Sequence, residues 1–354
     1  MLKVLVTGAA GLIGGEVCAR LAARGVQVTA MVRKTREVRG NDGAMVPGIE
    51  VVGGDVTGPL MGLDPAAHDI DLVIHCAASL EFDAPREELA AVNIEGTRNA
   101  VEFAREAGAG FIHVSTAYVC GTREGAILEG PVPEGTRFTN NYEESKALAE
   151  ALVADSGVPF AIARPSIVLG DHASGEIRDF PSLCNVFRLM ARGKVSVFPA
   201  HEGSTLNLVP ICHVAEGIAR IAERFEDARG GYYHLVTNTP LPAADLANGV
   251  SRVEHFPDPL VVPPEQFDSA SLRPAEQMLL GRMIATFGAY FTRNPRFDDS
   301  RFRSLTGLEC PETDSEWLDR LIACGIARGY LPSARPGSAA PAGLAHGTPI
   351  ISRP

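Results

Sequence analysis

A phenol and an amine stand four residues apart in the segment Tyr142-Glu143-Glu144-Ser145-Lys146. On a helix, residues four apart share one face, so both side chains could reach the same ligand. A free phenol has a pKa of about 10, and a nearby ammonium favours its ionised form. We therefore expect Lys146 to lower the pKa of Tyr142 and to make the phenol a usable proton donor or acceptor. The same ammonium could also donate hydrogen bonds to ribose hydroxyls.

Two hydroxyls, Ser115 and Thr116, come at the end of a predicted buried strand, before Ala117 and Tyr118. A doubly wound parallel sheet binds its ligands at the carboxyl ends of its strands, so these hydroxyls would lie at the ligand edge. Successive side chains of a strand point to opposite faces, and only one of the two hydroxyls is expected to face a substrate.

A glycine turn, Thr7-Gly8-Ala9-Ala10-Gly11-Leu12-Ile13-Gly14, follows the first predicted strand and opens an apolar helix. Gly8 permits a tight turn, Gly11 lets the backbone approach a pyrophosphate, and Gly14 allows close packing of the helix on the sheet. The N–H groups and the positive end of that helix attract phosphate. The turn predicts a dinucleotide site, with cofactor contacts expected from Gly8, Ala10, Gly11, Leu12 and Ile13.

The end of the second predicted strand, Val32-Arg33-Lys34, bears on which dinucleotide binds. An NAD-specific site usually offers the ribose an acidic residue here, whereas a cation can pair with the 2′-phosphate of NADP. We therefore expect NADP(H), with NAD(H) as the second choice.

The elements that position these residues alternate between β-branched runs and helical periods over the first half of the chain. This pattern is typical of an α/β fold with a doubly wound parallel (Rossmann) sheet. Strands are predicted at Leu2–Thr7, Val26–Val32, Ile49–Val52, Asp71–His75, Gly110–Ser115 and Val158–Ala163, and helices near 12–24, 86–107 and 141–155.

Beyond Ile177 the pattern becomes irregular and rich in proline, which predicts a smaller, mainly helical C-terminal substrate lobe. We expect residues 1–175 to form the NADP-binding domain, with 206–240 returning to it through a helix near 212–224 and a strand near Tyr232–Thr237. Residues 176–205 and 241–331 would then form the substrate-binding lobe. The Pro, Gly and Ala-rich residues 332–354 are predicted to be a disordered tail.

Composition narrows the classes of function. The 354 residues carry a formal charge of −11, which disfavours nucleic acid as a partner. No apolar run reaches the roughly 18 residues of a membrane span and no leader precedes the first strand, so we expect a cytoplasmic protein. The seven scattered cysteines predict reduced thiols, and the nine histidines lack the spacing of a metal site.

The glycine spacing and the Tyr-x-x-x-Lys motif together resemble the extended short-chain dehydrogenase/reductase family. The segment Arg164–Asp171, the run His75-Cys76-Ala77-Ala78 with Phe82-Asp83, and Tyr233–Thr237 resemble its fatty acyl-CoA reductase and thioester reductase branch, including the reductase domains of carboxylic acid reductases. Residues 287–298 resemble the C-terminal domain of fatty acyl-CoA reductases less closely.

The resemblance implies roles for individual residues. Thr116, Tyr142 and Lys146 match the catalytic positions, with Ser115 as the alternative to Thr116, and Asn93 matches an asparagine that holds a water or a backbone position near Lys146. Further cofactor contacts are expected from Arg33, Lys34, Asp55, Val56, Ala77, Ala78, Ser79, Tyr142, Lys146, Pro165, Ser166 and Ile167.

The implied activity is the NADPH-dependent reduction of an activated acyl group, a thioester on coenzyme A or on a carrier protein. Hydride transfer to the carbonyl would give an aldehyde, and a second NADPH could carry the aldehyde to an alcohol. The alternatives are a hydroxysteroid- or sugar-type ketone oxidoreductase or epimerase of the same family, and a non-catalytic dinucleotide sensor. Relatives of the latter kind usually lose the Tyr and Lys pair that is present here.

Two further expectations concern partners. Six arginines lie between Arg273 and Arg303 against three acids, and we hypothesise that this segment docks the phosphate-bearing arm of the thioester. Extended members of the family often dimerise through helices corresponding to 86–107 and 141–155, so the resemblance allows a homodimer.

Overall fold

The computed structural model describes residues 1–35, 37–82, 84–267, 270 and 272–334. Asp83, which belongs to one of the family-like motifs, lies outside the described residues. So do positions 335–354 of the predicted tail.

A seven-stranded sheet, parallel throughout, forms the centre of the molecule, in the order β12-β7-β5-β4-β1-β2-β3. This confirms the predicted doubly wound α/β fold. The strands are β1 (Lys3–Thr7), β2 (Gln27–Val32), β3 (Glu50–Gly53), β4 (Leu72–His75), β5 (Gly110–Val114), β6 (Gly125–Ile127), β7 (Phe160–Pro165), β8 (Ile167–Leu169), β9 (Val197–Pro199), β10 (Thr205–Leu206), β11 (Leu208–Pro210), β12 (Gly231–Leu235), β13 (Leu241–Pro242), β14 (Leu260–Val262) and β15 (Pro295–Phe297).

The helices agree closely with the predicted ones in the first half of the chain. They are α1 (Leu12–Ala23), α2 (Arg86–Leu89), α3 (Gly96–Ala107), α4 (Asn141–Ala154), α5 (Cys184–Ala191), α6 (Ile211–Glu223), α7 (Phe225–Ala228), α8 (Asp245–Ser251), α9 (Pro274–Phe291), α10 (Ser300–Thr306) and α11 (Ser315–Ala327). A π-helical stretch, Ala90–Glu95, joins α2 to α3, so the predicted helix at 86–107 is continuous but irregular.

Burial on both faces of the sheet explains the near-continuous apolar strands. In β1, Val4 and Val6 belong to the apolar core that includes residues of α1 and α6, whereas Leu5 belongs to the core that includes residues of α3. Because successive side chains of a strand point to opposite faces, each strand contributes apolar residues to the cores on both sides of the sheet.

The second half of the chain builds a separate apolar core from α5, α8, α9 and α11. Three two-stranded sheets, β9 with β14, β10 with β13 and β6 with β15, accompany these helices. Strand β12 pairs with β7 at the edge of the main sheet. The division into a cofactor domain and a substrate lobe stays a prediction.

Candidate active site

Helix α4 carries Tyr142 and Lys146, and the side chain of Asn140 begins it by accepting a hydrogen bond from the Glu143 N–H (2.8 Å). The ring of Tyr142 is mostly buried and packs against Phe82, with the ring centroids 5.1 Å apart. Among the described residues, none hydrogen-bonds the Tyr142 hydroxyl. The phenol is therefore free to donate to a ligand.

The expected direction of the Tyr142 pKa was wrong. Burial raises the pKa of Tyr142 well above its usual value, and the negative charge of the adjacent Glu143 raises it further. Both desolvation and the neighbouring carboxylate disfavour the phenolate. At neutral pH the phenol therefore keeps its proton and is a proton donor.

Lys146 lies deep under the carboxyl edge of the sheet. Its Nζ donates to the Val114 carbonyl oxygen (2.8 Å) and lies 3.0 Å from His113 Nε2. Burial lowers the pKa of Lys146 to about 8, and the charge of Glu150 opposes the shift. An ammonium has three N–H donors, so one remains for a ribose hydroxyl.

The two hydroxyls after β5 are oriented differently. Thr116 Oγ1 accepts a hydrogen bond from the Tyr118 N–H (3.2 Å) and caps the 3₁₀ turn Ala117–Cys120. This contact uses a lone pair and leaves the hydroxyl proton available. Ser115 Oγ is buried and has no partner within the described part of the chain.

The glycine turn is tight and closely packed, as the sequence predicts, and it leaves no room for a side chain at Gly8 or Gly14. Gly8 has φ +66°, and a Cβ there would lie 2.7 Å from the Ala77 nitrogen. A Cβ on Gly14 would lie 2.3 Å from the Gly8 carbonyl oxygen. Gly11 precedes α1 without a side-chain cap, and Ala10 and Gly11 are exposed whereas Leu12 and Ile13 are half-buried. The N–H groups of the first helical turn are thus open to a phosphate.

The cations after β2 lie beside the segment after β3. Arg33 and Lys34 are exposed, and the Gly54 N–H donates to the Val32 carbonyl (3.0 Å), which brings Asp55 alongside them. A hydrogen bond from the Thr57 N–H, with the charges of Arg33 and Lys34, lowers the pKa of Asp55.

The neighbouring Val56 is buried against α3. A Cβ on Gly96 would lie 3.0 Å from its Cγ2 atom, and Asn99 donates to its carbonyl oxygen (2.8 Å). This fixes the backbone at Val56, one of the residues that the resemblance predicts to contact the cofactor.

Ala77, Ala78 and Ser79 form the half-buried segment after β4. Thr7 Oγ1 accepts from the Ala77 N–H (3.3 Å), and Asn93 binds both backbone groups of Ser79, accepting from its N–H (2.7 Å) and donating to its carbonyl (3.1 Å). Asn93 also donates to Ser145 Oγ on α4 (2.9 Å). Asn93 therefore ties a segment that is expected to contact the cofactor to the helix of Tyr142.

Pro165 at the end of β7 and Ser166 after it are buried, and Ile167 at the start of β8 is half-buried. Ser166 Oγ, like Ser115 Oγ just after the neighbouring strand β5, is buried with no hydrogen-bond partner in the described residues. Unpaired buried hydroxyls cost stability. A dinucleotide across this edge would offer them polar partners, so the residues present fit such a cofactor.

Buried ion pairs anchor α4 at both ends. Arg164 of β7 binds Glu150 (2.6 Å), and Arg293, which follows α9, binds Glu143 (3.1 Å). Tyr290 also donates to Glu143 (2.9 Å). Sequence reasoning missed Arg293 because no local signal pairs residues 150 positions apart.

Arg178 is a second residue that sequence reasoning missed. Its guanidinium donates to the Ala10 carbonyl oxygen (2.9 Å) and to the Arg39 carbonyl. It thus fixes the glycine turn from the loop after β8. No local signal in the sequence pairs Arg178 with Ala10, because 168 positions separate them.

The hypothesis of a basic docking segment is weakened because most of its arginines have internal partners. Arg273 pairs with Glu276, Arg303 with Asp299, and Arg293 with Glu143. Arg301 donates its backbone N–H to Glu129 (2.6 Å) and its guanidinium to the Glu129 carbonyl. Arg282 and Arg296 form none of the ion pairs found in the described ranges.

Within the residues that the structure describes, no group of His, Cys, Asp or Glu side chains is placed to hold a metal ion. In the same residues, no helix has the length and apolar character needed to cross a bilayer.

Comparison with known proteins agrees with this geometry. The structure superposes on the terminal R domain from the myxalamid PKS-NRPS biosynthetic pathway with a TM-score of 0.79 and 25% identity, covering 94% of this chain and 92% of that one. Residues 6–218 match the model of the family described as male sterility protein. The chain belongs to the male sterility protein family.

Two curated relatives extend the comparison. The chain is 28% identical to sterol demethylase protein B of Methylococcus capsulatus, over 90% of this chain and 97% of that protein. It is 30% identical to a 3 beta-hydroxysteroid dehydrogenase/Delta 5-->4-isomerase of Mycobacterium tuberculosis, over 58% of this chain and 56% of that protein. The male sterility family member described here is an NAD(P)H-dependent oxidoreductase of the extended short-chain dehydrogenase/reductase type.

Proposed function

We propose that the protein is an NADPH-dependent reductase of activated acyl thioesters, carried on coenzyme A or on a carrier protein. The observation that carries the proposal is the likeness to a terminal R domain along 94% of the chain, at 25% identity. The product is an aldehyde, and a second NADPH could carry it to an alcohol.

In this proposal Thr116, Tyr142 and Lys146 are the catalytic residues. The free hydroxyl protons of Thr116 and Tyr142 stabilise the oxyanion that develops on the thioester carbonyl. Bound NADPH would supply the hydride to the carbonyl carbon. Tyr142 donates its proton to the oxygen, and the raised pKa of Tyr142 suits this direction because the phenol is protonated when the reaction begins. The hydroxyl of the resulting hemithioacetal then loses its proton as the C=O bond re-forms and the C–S bond breaks. The leaving sulfur gains a proton, and a thiol and an aldehyde are released.

We also propose the domain division expected from the sequence. Residues 1–175 with 206–240 bind the cofactor, and 176–205 with 241–331 bind the substrate. The contact of Phe287 with Phe82 (5.9 Å between ring centroids) supports it, because Phe82 in turn packs on Tyr142. A homodimer through α3 and α4 is part of the same proposal, supported by the exposed Leu148 on α4.

Preference for NADPH over NADH is tested at Arg33 and Lys34. Loss of one charge-assisted contact to the 2′-phosphate should weaken NADPH binding by about tenfold or more. We expect Arg33→Ala and Lys34→Ala each to raise the Kd for NADPH by that factor, whereas the Kd for NADH should change less than about twofold. Nucleotide fluorescence titration measures both constants.

Arg229→Ala is the matched control, because Arg229 is exposed in the turn between α7 and β12, where it pairs with Glu226 and lies over the Phe225 ring. It should leave both dissociation constants unchanged. Equal weakening of NADPH and NADH by the Arg33 and Lys34 variants would contradict the assignment.

A second candidate is a ketone or alcohol oxidoreductase acting on sterols. It is favoured by the similarity to sterol demethylase protein B, which spans 97% of that relative. The proposed Thr116, Tyr142 and Lys146 would serve this chemistry equally well.

One experiment separates the two candidates. The protein is incubated with NADPH and a panel of acyl-coenzyme A and acyl-carrier thioesters, and in parallel with NADP⁺ or NADPH and hydroxysteroids or ketosteroids. Cofactor absorbance is followed and products are identified by mass. We expect aldehyde or alcohol with release of one thiol per acyl group. Turnover of the steroids alone would replace the proposal with the second candidate.

A further inference from the structure

The Lys146 ammonium is held by two acceptors from adjacent residues of β5. Its Nζ donates to the Val114 carbonyl oxygen (2.8 Å) and lies 3.0 Å from His113 Nε2. Both contacts are buried, and they leave one N–H of the ammonium for a bound ligand. The direction of that third N–H is therefore fixed by the other two.

His113 is fully buried and stacks between neighbours of the same sheet face, with ring centroids 5.7 Å from His75 and 6.4 Å from Phe111. Because the ammonium donates, His113 Nε2 carries the lone pair and Nδ1 carries the proton. Within the described residues Nδ1 has no partner. Burying an imidazole is costly unless it is hydrogen-bonded, and Lys146 provides the hydrogen bond that His113 makes here.

We propose that His113 is a positioning residue that holds the Lys146 ammonium in its charged form, and that this contact sets the pH above which the enzyme loses turnover. This rests on the proposed function, with the charged Lys146 ammonium donating to the cofactor ribose.

The surrounding groups cannot replace this acceptor. Glu150 on α4 is already bound by the guanidinium of Arg164 (2.6 Å). Burial raises the pKa of the Cys76 thiol, after β4, to about 12, so it carries no charge. Burial lowers the pKa of His75, on β4, to about 3, so it is neutral.

The sign of the pH effect follows from these environments. Burial, followed by the charge of Lys146, holds the pKa of His113 well below its usual range, so the proton of the pair stays on Lys146. Burial already lowers the pKa of Lys146 to about 8. A hydrogen bond to the charged form raises a lysine pKa, so losing it lowers that pKa further. Activity that needs the ammonium should then fall at a lower pH.

The test compares His113→Leu and His113→Phe, which lack the acceptor, with His113→Gln, whose side-chain oxygen can reach the position of Nε2. The alkaline limb of kcat should move down by about one pH unit in the Leu and Phe variants. This shift corresponds to a tenfold larger acid dissociation constant of the Lys146 ammonium. The Kd for NADPH should rise at the same lowered pH. His113→Gln should restore both curves to within about 0.3 pH unit of wild type.

Phe111→Leu is the matched control, since it disturbs the same ring stack and leaves both acceptors of Lys146 in place. Melting temperatures identify any variant that fails to fold, and the Phe variant, which keeps a ring in the stack, covers failure of the Leu variant. A wild-type alkaline limb in either folded acceptor-free variant would overturn the proposal, as would an equal shift in Phe111→Leu. Absence of wild-type turnover on every thioester would refute the proposed function instead, and the pH dependence of NADPH binding would still decide the role of His113.

Discussion

Replacing Tyr142 by Phe should lower kcat for thioester reduction by about 10²- to 10⁴-fold, the range attributed to a positioned proton donor. The substitution removes the hydroxyl and keeps the ring, so the contact with Phe82 (5.1 Å between ring centroids) and the fold of α4 should persist. The Kd for NADPH should change little, because Lys146 and the glycine turn are untouched. Single-turnover kinetics and a fluorescence titration with NADPH measure the two quantities.

Tyr232→Phe serves as the control for this variant. Tyr232 lies on β12 at the far edge of the sheet, and its ring packs on Phe160 and under Arg164. Its kcat should stay within about twofold of wild type. If Tyr142→Phe kept more than a tenth of the wild-type kcat, Tyr142 would not be the proton donor, and Thr116 would have to carry the oxyanion alone.

The sequence predicted the buried strands of the central sheet and the glycine turn, because both depend on residues that are close together in the chain. The apolar runs of β1, β2 and β4 are buried on both faces, so their composition alone marks them as strands. The glycine turn was predictable for a similar reason: Gly8 has a positive φ and touches Ala77 too closely for any side chain. These features depend on residues close in sequence or on a rule that holds for every doubly wound sheet.

The electrostatics of the candidate site could not be predicted so simply. The spacing of Tyr142 and Lys146 suggested a lowered phenol pKa, but burial and the adjacent Glu143 raise it. The sequence shows that Glu143 is adjacent to Tyr142, but it does not show how deeply the Tyr142 side chain is buried. Opposing contributions of desolvation and charge can be weighed only once the packing around the phenol is known.

Contacts between distant segments were also beyond the sequence. In the sequence, His113 has no feature that distinguishes it from other strand residues, and only the structure shows its contact with Lys146. Likewise, Arg293 was counted as part of a basic surface, and only the structure shows its ion pair with Glu143. The basic docking hypothesis is weakened for the same reason, because internal ion pairs cannot be counted before the helices are placed.

The Arg293 contact leads to the second large prediction, which concerns stability. Arg293 is 6% exposed and Glu143 0%, so removing the guanidinium would leave a buried, uncompensated carboxylate next to Tyr142. Breaking a buried pair from one side costs about 3–5 kcal/mol. Arg293→Met should therefore lower the free energy of unfolding by that amount and the melting temperature by about 4–7 °C. Chemical and thermal denaturation followed by circular dichroism measure both.

Two further variants test whether the loss of stability in Arg293→Met comes from the buried charge of Glu143. Arg252→Met removes an exposed partner of Asp319 (2.6 Å) and should cost less than about 1 kcal/mol. Arg293→Met combined with Glu143→Gln should recover part of the loss, because a neutral amide is cheaper to bury than an unpaired carboxylate. Equal losses of unfolding free energy in Arg293→Met and Arg252→Met would mean that water reaches the Glu143 carboxylate.

In that case the contact between α9 and α4 would not hold the helix of Tyr142 in place. The proposed substrate lobe could then move relative to the phenol without breaking an ion pair.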